Sequence, residues 1–290
     1  MGGRRCGVTS GKERVVPHLQ HRGRPPAVDL HGQGPAVLLL HGQPGSRADW
    51  SEVARILAAD HQVIVPDRPG YGQSTLRARG FAGNADAMLD LLDRLGVQTA
   101  TVLGYSWAGG VAIAMAERHP ERVRGLVLAA SVGDGAAVSL LDRIAALPVA
   151  GVLLTVVGFK LLGNLLLVPR VRRALAQGVV PESEQRLAAI GRAWRKSRAW
   201  RSFLTEQRAL LVETPVLAAG LGSIHMPTVV VVGEHDRNVT PLAAAALAEA
   251  IPGARLVTLP GVGHLLPQQA PVDLARIVAE VAGRGARRNG

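Results

Sequence analysis

The sequence predicts an α/β fold, a mostly parallel central sheet flanked by helices, with a helical cap inserted between two strands. Three observations predict it. From Ala36 onward, short apolar runs alternate with amphipathic stretches, as they do when strands are covered on both faces by the helices between them. Gly104-Tyr105-Ser106-Trp107-Ala108-Gly109 follows one such run and opens an Ala-rich segment, the composition of a tight strand-to-helix turn. Between about Gly133 and Ser223 the rhythm breaks, and Leu-, Arg- and Trp-rich helical patterns replace the strand candidates.

Each element follows from local pattern. Strands are expected at Ala36–Leu40, Gln62–Val65, Ala100–Leu103, Val123–Ala129, Thr228–Val232 and Ala254–Leu259, all short and β-branched or Leu-rich. Helices are expected at Asp49–Ala59, Ala85–Leu95, Ala108–Arg118, Pro241–Ala250 and Pro271–Val281. Pro241 and Pro271 suit the first turn, where a missing N–H costs nothing. The chain then divides into a basic, floppy N-terminal extension (1–26), an α/β core (27–133 and 223–283), the cap (134–222) and a solvated basic tail (284–290).

Composition narrows the function classes. The 290 residues, 48% of them hydrophobic, suffice for a large core. Cys6 is the single cysteine, so no intrachain disulfide forms and thiol catalysis is not expected. Net charge is +11, carried mostly by arginine and concentrated toward both ends, but no aromatic-interleaved basic groove accompanies it, so nucleic acid is not expected as a partner. The basic first residues lack the apolar core of a secretory signal, and a cytoplasmic location is expected. No His/Asp/Glu cluster has ligand spacing, so neither metal nor cofactor is expected.

Two cap segments stand out. Leu147–Val168 approaches the length of a membrane span, but Lys160 and Asn164 interrupt it and Gly151, Gly158 and Gly163 weaken it. It reads as cap helices that roof a substrate pocket, with peripheral membrane contact, aided by Arg170, Arg172 and Arg173, as the alternative. Arg192–Arg201 interleaves basic residues with Trp194 and Trp200. It reads as a helix with a solvated basic face; alternatively Trp194 lines the pocket and an arginine, Arg198, reaches a substrate carboxylate.

Four motifs carry the chemistry. A serine between small residues at a strand-to-helix turn is pushed into an exposed, strained position, which suits Ser106 as a nucleophile; the plain alternative is a Gly-rich turn. His41-Gly42-Gln43-Pro44-Gly45-Ser46 follows the strand ending at Leu40 and offers the N–H of Gln43 to a developing oxyanion, with Trp107 supplying a second. Gly233-Glu234-His235-Asp236 places Asp236 where it can orient a histidine, with Glu234 and Asp134 as competitors. Gly261-Val262-Gly263-His264 places His264 on a flexible loop as general base, with His235 as its rival. The order Ser106, Asp236, His264 matches a known Ser, acid, His order.

On these motifs the chain resembles the α/β-hydrolase-fold enzymes with a helical cap, a group of esterases, C–C bond hydrolases and cofactor-free haloperoxidase-like enzymes. The resemblance covers roughly Ala27 to Val281 and includes Asp67-Arg68-Pro69-Gly70-Tyr71-Gly72-Gln73-Ser74, similar to a D-x-x-G-x-G-x-S segment whose role in the group is mainly structural. Ala108 in the elbow and the long basic N-terminus depart from the pattern. Family members acting on epoxides or haloalkanes use an aspartate nucleophile, whereas position 106 is serine. The resemblance implies a serine hydrolase acting on a small or medium apolar ester through an acyl-enzyme. The alternatives are cleavage of a C–C bond beside a ketone, a prolyl-type aminopeptidase using Glu182, Glu184, Glu206 or Glu213 to hold an amine, and a non-catalytic, membrane-associated binder.

Overall fold

The computed structural model describes residues 27–135, 138–176 and 183–288. Among them seven strands, β1 (Val28–His31), β2 (Ala36–Leu40), β3 (Gln62–Pro66), β4 (Ala100–Tyr105), β5 (Val123–Ala129), β6 (Thr228–Gly233) and β7 (Arg255–Leu259), form one sheet in the order β1-β3-β2-β4-β5-β6-β7. Only β1 runs antiparallel to its neighbour. The helices packed on the sheet are α1 (Ser51–Leu57), α2 (Phe81–Arg94) and α3 (Ala108–Arg118). Between β5 and β6 come α4 (Leu140–Ala145), α5 (Ala150–Leu165), α6 (Pro169–Ala176), α7 (Ser183–Trp194) and α8 (Ser197–Gly220). The chain ends with α9 (Pro241–Ala250), α10 (Leu266–Gln269) and α11 (Pro271–Arg288).

Strand alternation builds two apolar layers. Leu38, Leu40, Val102, Leu126, Leu128, Val230 and Val232 face α2, α3 and α9. Their neighbours Val37, Leu39, Leu103, Val127, Val229 and Val231 face α1 and α11. Continuous hydrophobic strands are therefore required here, and each fully buried Val or Leu contributes about 1.5–3 kcal/mol over its exposed state. The inserted helices are seated by α8, whose Leu210 and Leu217 join the layer that holds α2 and α3.

The structure differs from the sequence-based expectation at several boundaries. β1 was not expected, since its four residues alternate half-buried and exposed and include His31 and Asp29. The first expected helix is divided, with a 3-10 turn at Arg47–Trp50 leading into α1. α2 starts at Phe81, not Ala85, because Phe81 and Asn84 are themselves buried. α11 runs through Arg288, so the expected solvated tail is helical there, and Arg284 pairs with Glu280 at 2.7 Å on the same helix face. The 1–26 extension and Glu182 lie outside the described residues. Leu147–Val168 contains α5, 16 residues and about 24 Å long at 1.5 Å per residue. No helix among the described residues is long and apolar enough to cross a membrane.

Candidate active site

Ser106 occupies the turn between β4 and α3 with φ of +54°, the left-handed region that a side chain adopts only when its surroundings impose it. Its N–H donates to Ala129 O at 2.9 Å, and its own carbonyl accepts from Gly109 N at 3.0 Å and Val132 N at 3.3 Å. The turn closes only with small neighbours. A Cβ on Gly109 would stand 1.6 Å from Ser131 Oγ, whereas Ala108 is accommodated although fully buried.

His264 reaches Ser106 from the loop after β7. Its Nε2 lies 3.1 Å from Ser106 Oγ and its Nδ1 lies 2.8 Å from Asp236 Oδ2. Asp236 is buried, and its other oxygen accepts from the N–H groups of Asn238 at 2.8 Å and Val239 at 3.0 Å. That carboxylate is thus fixed by its own turn and points one oxygen at the imidazole. An imidazole protonated on Nδ1 donates to Asp236 and leaves the Nε2 lone pair for the serine hydroxyl. The histidine loop is held from two sides: Tyr105 Oη donates to His264 O at 3.0 Å, and Gly263 N donates to Gln269 Oε1 at 2.8 Å. Burial pushes the Tyr105 phenol far above its ordinary range, so it acts as a neutral donor. Gly233 ends β6 directly beneath this loop, and a Cβ there would meet Gly263 O and Val262 O, both at 2.4 Å.

The competing residues lie elsewhere. Glu234 accepts from Gly261 N at 2.8 Å and so fastens the histidine loop. His235 is exposed and sits 4.0 Å from Glu234. Asp134 belongs to the bend after β5, and it is Asp236 that meets His264.

The loop after β2 abuts the serine, since a Cβ built on Gly42 would stand 3.0 Å from Ser106 Cβ. It is gripped by a buried network that sequence reasoning did not resolve. The fully buried Arg68 guanidinium donates from Nε to His41 O at 2.6 Å and from a terminal nitrogen to Gly42 O at 2.9 Å. Its other terminal nitrogen donates to Glu206 Oε1 of α8 at 2.5 Å, and Tyr71 Oη donates to Glu206 Oε2 at 2.7 Å. Trp107 stacks under the same guanidinium at 4.8 Å and donates Nε1–H to Glu206 O at 3.2 Å. Burial raises the Glu206 and Tyr71 pKa values, while Arg68 draws the carboxylate back toward its charged form. Burial and the adjacent Arg68 hold His41 well below the usual histidine range, so it stays neutral, accepting from Arg68 N at 3.0 Å.

This network bears on the direction of the Gln43 N–H, the expected oxyanion donor. Gly42 C=O and Gln43 N–H belong to one planar peptide and point in opposite directions. Holding the carbonyl on Arg68 therefore fixes the direction of the Gln43 N–H. The Gln43 side chain adds a hydrogen bond of 3.0 Å to Phe203 O in α8. Trp107 stands at the N-terminus of α3, where the first N–H groups have no partner within the helix.

Arg198, offered as an alternative substrate contact, donates to the carbonyls of Gly70 (3.1 Å), Ser74 and Leu76 (3.0 Å) and ties α8 to that loop. Its five-donor fork suits a cluster of carbonyls as well as a carboxylate. Trp194 packs on Phe159 with ring centroids 5.3 Å apart, and Phe159 packs on Phe203 at 5.2 Å. Among the described residues no group of three or more His, Cys, Asp or Glu could hold a metal ion. The only sequence signal for the network was Arg68 inside the Asp67–Ser74 segment; its partner Glu206 lies 138 residues away.

Comparison with known proteins fits this geometry. The family model described as alpha/beta hydrolase fold matches residues 35–271. The chain is similar to a Mycobacterium tuberculosis protein named "Uncharacterized protein Rv2715", at 30% identity over 92% of this chain and 82% of that protein. It is also similar to the 2-hydroxy-6-oxo-6-phenylhexa-2,4-dienoate hydrolase of Burkholderia cepacia, at 29% identity over 80% of this chain and 82% of that enzyme. A thermophilic esterase from Thermogutta terrifontis shares the fold, with a TM-score of 0.67 and 24% identity over 89% of this chain and 93% of that one. This chain belongs to the alpha/beta hydrolase fold family.

Proposed function

We propose that the protein is a serine hydrolase that cleaves a small or medium apolar carboxylic ester through an acyl-enzyme. The observation that carries this reading is the unbroken line Ser106 Oγ to His264 Nε2 (3.1 Å) and His264 Nδ1 to Asp236 Oδ2 (2.8 Å). Ser106 Oγ attacks the ester carbonyl carbon as its proton passes to His264 Nε2, and Asp236 stabilises the imidazolium. The carbonyl oxygen becomes an alkoxide that accepts from Gln43 N–H and Trp107 N–H. Collapse breaks the C–O bond, and the leaving alcohol takes the proton from Nε2. Water then repeats the sequence on the acyl-serine, with His264 again as base, and releases the carboxylate. The inserted helices serve as a cap over this chemistry, and Phe159 and Phe203 on their inner side favour an apolar acyl or alcohol group.

The test is hydrolysis of p-nitrophenyl esters from acetate to decanoate, with Ser106→Ala beside the wild type. The proposal expects turnover with a chain-length optimum and a loss of about 10⁴-fold or more in the variant. Turnover that survives Ser106→Ala would contradict it.

Similarity to the Burkholderia cepacia enzyme supports a second reading, cleavage of a C–C bond beside a ketone by the same serine line. Turnover of 2-hydroxy-6-oxo-6-phenylhexa-2,4-dienoate exceeding that of every ester would favour it. An aminopeptidase gains less support, because Glu206 is engaged by Arg68 and Tyr71, and Glu213 accepts from Ala82 N at 3.1 Å.

A further inference from the structure

Helix α5 has two unlike faces. Gly151, Thr155, Phe159 and Gly163 are buried, and Phe159 leads inward through Phe203 toward Gln43. On the opposite side Leu153, Val157, Leu161 and Leu165 are 40–66% exposed, and the segment before α5 adds Leu140, Leu141 and Val149, exposed at 71–81%. A soluble surface rarely gathers so much aliphatic area in one place without a use for it.

The charge around this face says what covers it. Residues 143–181 contain no Asp or Glu, while Lys160 sits within the exposed face and Arg170 and Arg173 project from α6 just beyond its end. The inserted segment 134–222 as a whole holds twelve Lys or Arg against six Asp or Glu, on a chain of net charge +11. A second copy would set positive charge against positive charge. An anionic headgroup layer over an apolar interior complements both features: the leucines enter the acyl boundary, and the basic side chains extend to the phosphates.

We propose that the outer face of α5, with the start of α6, docks on the surface of an anionic phospholipid bilayer. The helix lies in the interface plane, and its inner face remains on Phe203 beside the serine site. The docking stands independently of the reaction that the site performs.

The experiment is co-sedimentation of the full chain with vesicles of equal parts phosphatidylglycerol and phosphatidylcholine, and with phosphatidylcholine alone. The variants are Leu153→Asp/Leu161→Asp and Arg170→Gln/Arg173→Gln, with folding verified by circular dichroism. Leu242→Asp, an exposed leucine on α9, serves as control. The proposal expects the wild type and the control to pellet with anionic vesicles and much less with neutral ones. The aspartate pair should abolish binding. The arginine pair should weaken it about thirtyfold, at roughly 1 kcal/mol for each cation near an anionic surface. Wild type that stays in the supernatant, or a folded aspartate pair that pellets like wild type through some other basic segment, would overturn the proposal. So would a wild-type dimer that the aspartate pair dissolves while vesicles are ignored.

Discussion

Under the proposed mechanism Arg68 matters to chemistry without touching a reacting atom. It holds the His41 and Gly42 carbonyls at 2.6 and 2.9 Å, and a peptide plane carries that constraint to the Gln43 N–H. Glu206 supplies the opposite charge that lets a guanidinium stay fully buried. Two outcomes separate these roles. Arg68→Met should lower kcat on a soluble ester by about 10²-fold, the scale of one misdirected oxyanion donor, with KM little changed. Glu206→Gln should lower stability in urea by about 3 kcal/mol, since it leaves a buried cation uncompensated. The double replacement Arg68→Met/Glu206→Met should recover much of that stability but not the lost kcat. A pair with a merely structural role would recover both.

At the scale of elements, the turn into α3 is the feature the sequence states most plainly. Its requirement for small residues is visible in the run of Gly104, Ala108 and Gly109 around Ser106. Gly109→Ala should cost about 3 kcal/mol or more in urea unfolding, because its Cβ would fall 1.6 Å from Ser131 Oγ in a packed layer. The strands were legible for a related reason: burial on both faces leaves continuous apolar runs, and β2 and β5 match their expected bounds. β1 was hidden because an edge strand paired on one side alternates in character. α10 has only four residues and contains Pro267, too short for a period to register. The partners of Arg198 were not legible because spacing along a helix cannot tell which carbonyls or carboxylates a guanidinium will meet; the loop Gly70–Leu76 is brought to it only by folding.

α3 also carries a group whose environment predicts a pH effect. Glu117 is half-buried beside Gly220, and burial lifts its pKa to about 7; its Oε1 has no hydrogen-bond partner among the described residues. A carboxyl with a raised folded-state pKa binds its proton more tightly when folded. Its contribution is therefore favourable at low pH and is lost as pH rises from the ordinary carboxylate range through about 7. Glu117→Gln should leave stability unchanged at low pH and raise it by about 1 kcal/mol above pH 7, allowing for the solvent that reaches the group. Urea midpoints at several pH values check this.

The whole molecule brings together residues that the chain holds far apart. Ser106, Asp236 and His264 come from the ends of β4, β6 and β7, so the parallel sheet itself sets their spacing. The sequence could name these three because each follows an apolar run and precedes a loop or helix signal. It could not reveal how α8 braces the site, since Arg68–Glu206, Gln43–Phe203 and Trp107–Glu206 all join the core to the inserted helices across roughly a hundred residues or more. Those contacts couple α8 to the loop after β2 and the turn into α3, so that distortion of α8 is expected to reach the proposed reaction centre.

The most direct measurement of the proposed reaction is mass spectrometry of the protein after treatment with a fluorophosphonate, which traps a serine only when a base activates it and the phosphoryl oxygen is stabilised. A serine mechanism predicts one adduct, located on Ser106, formed rapidly by wild type and about 10³-fold or more slowly by His264→Ala. Absence of an adduct on folded wild type, or labelling of Ser106 at an equal rate in His264→Ala, would contradict it.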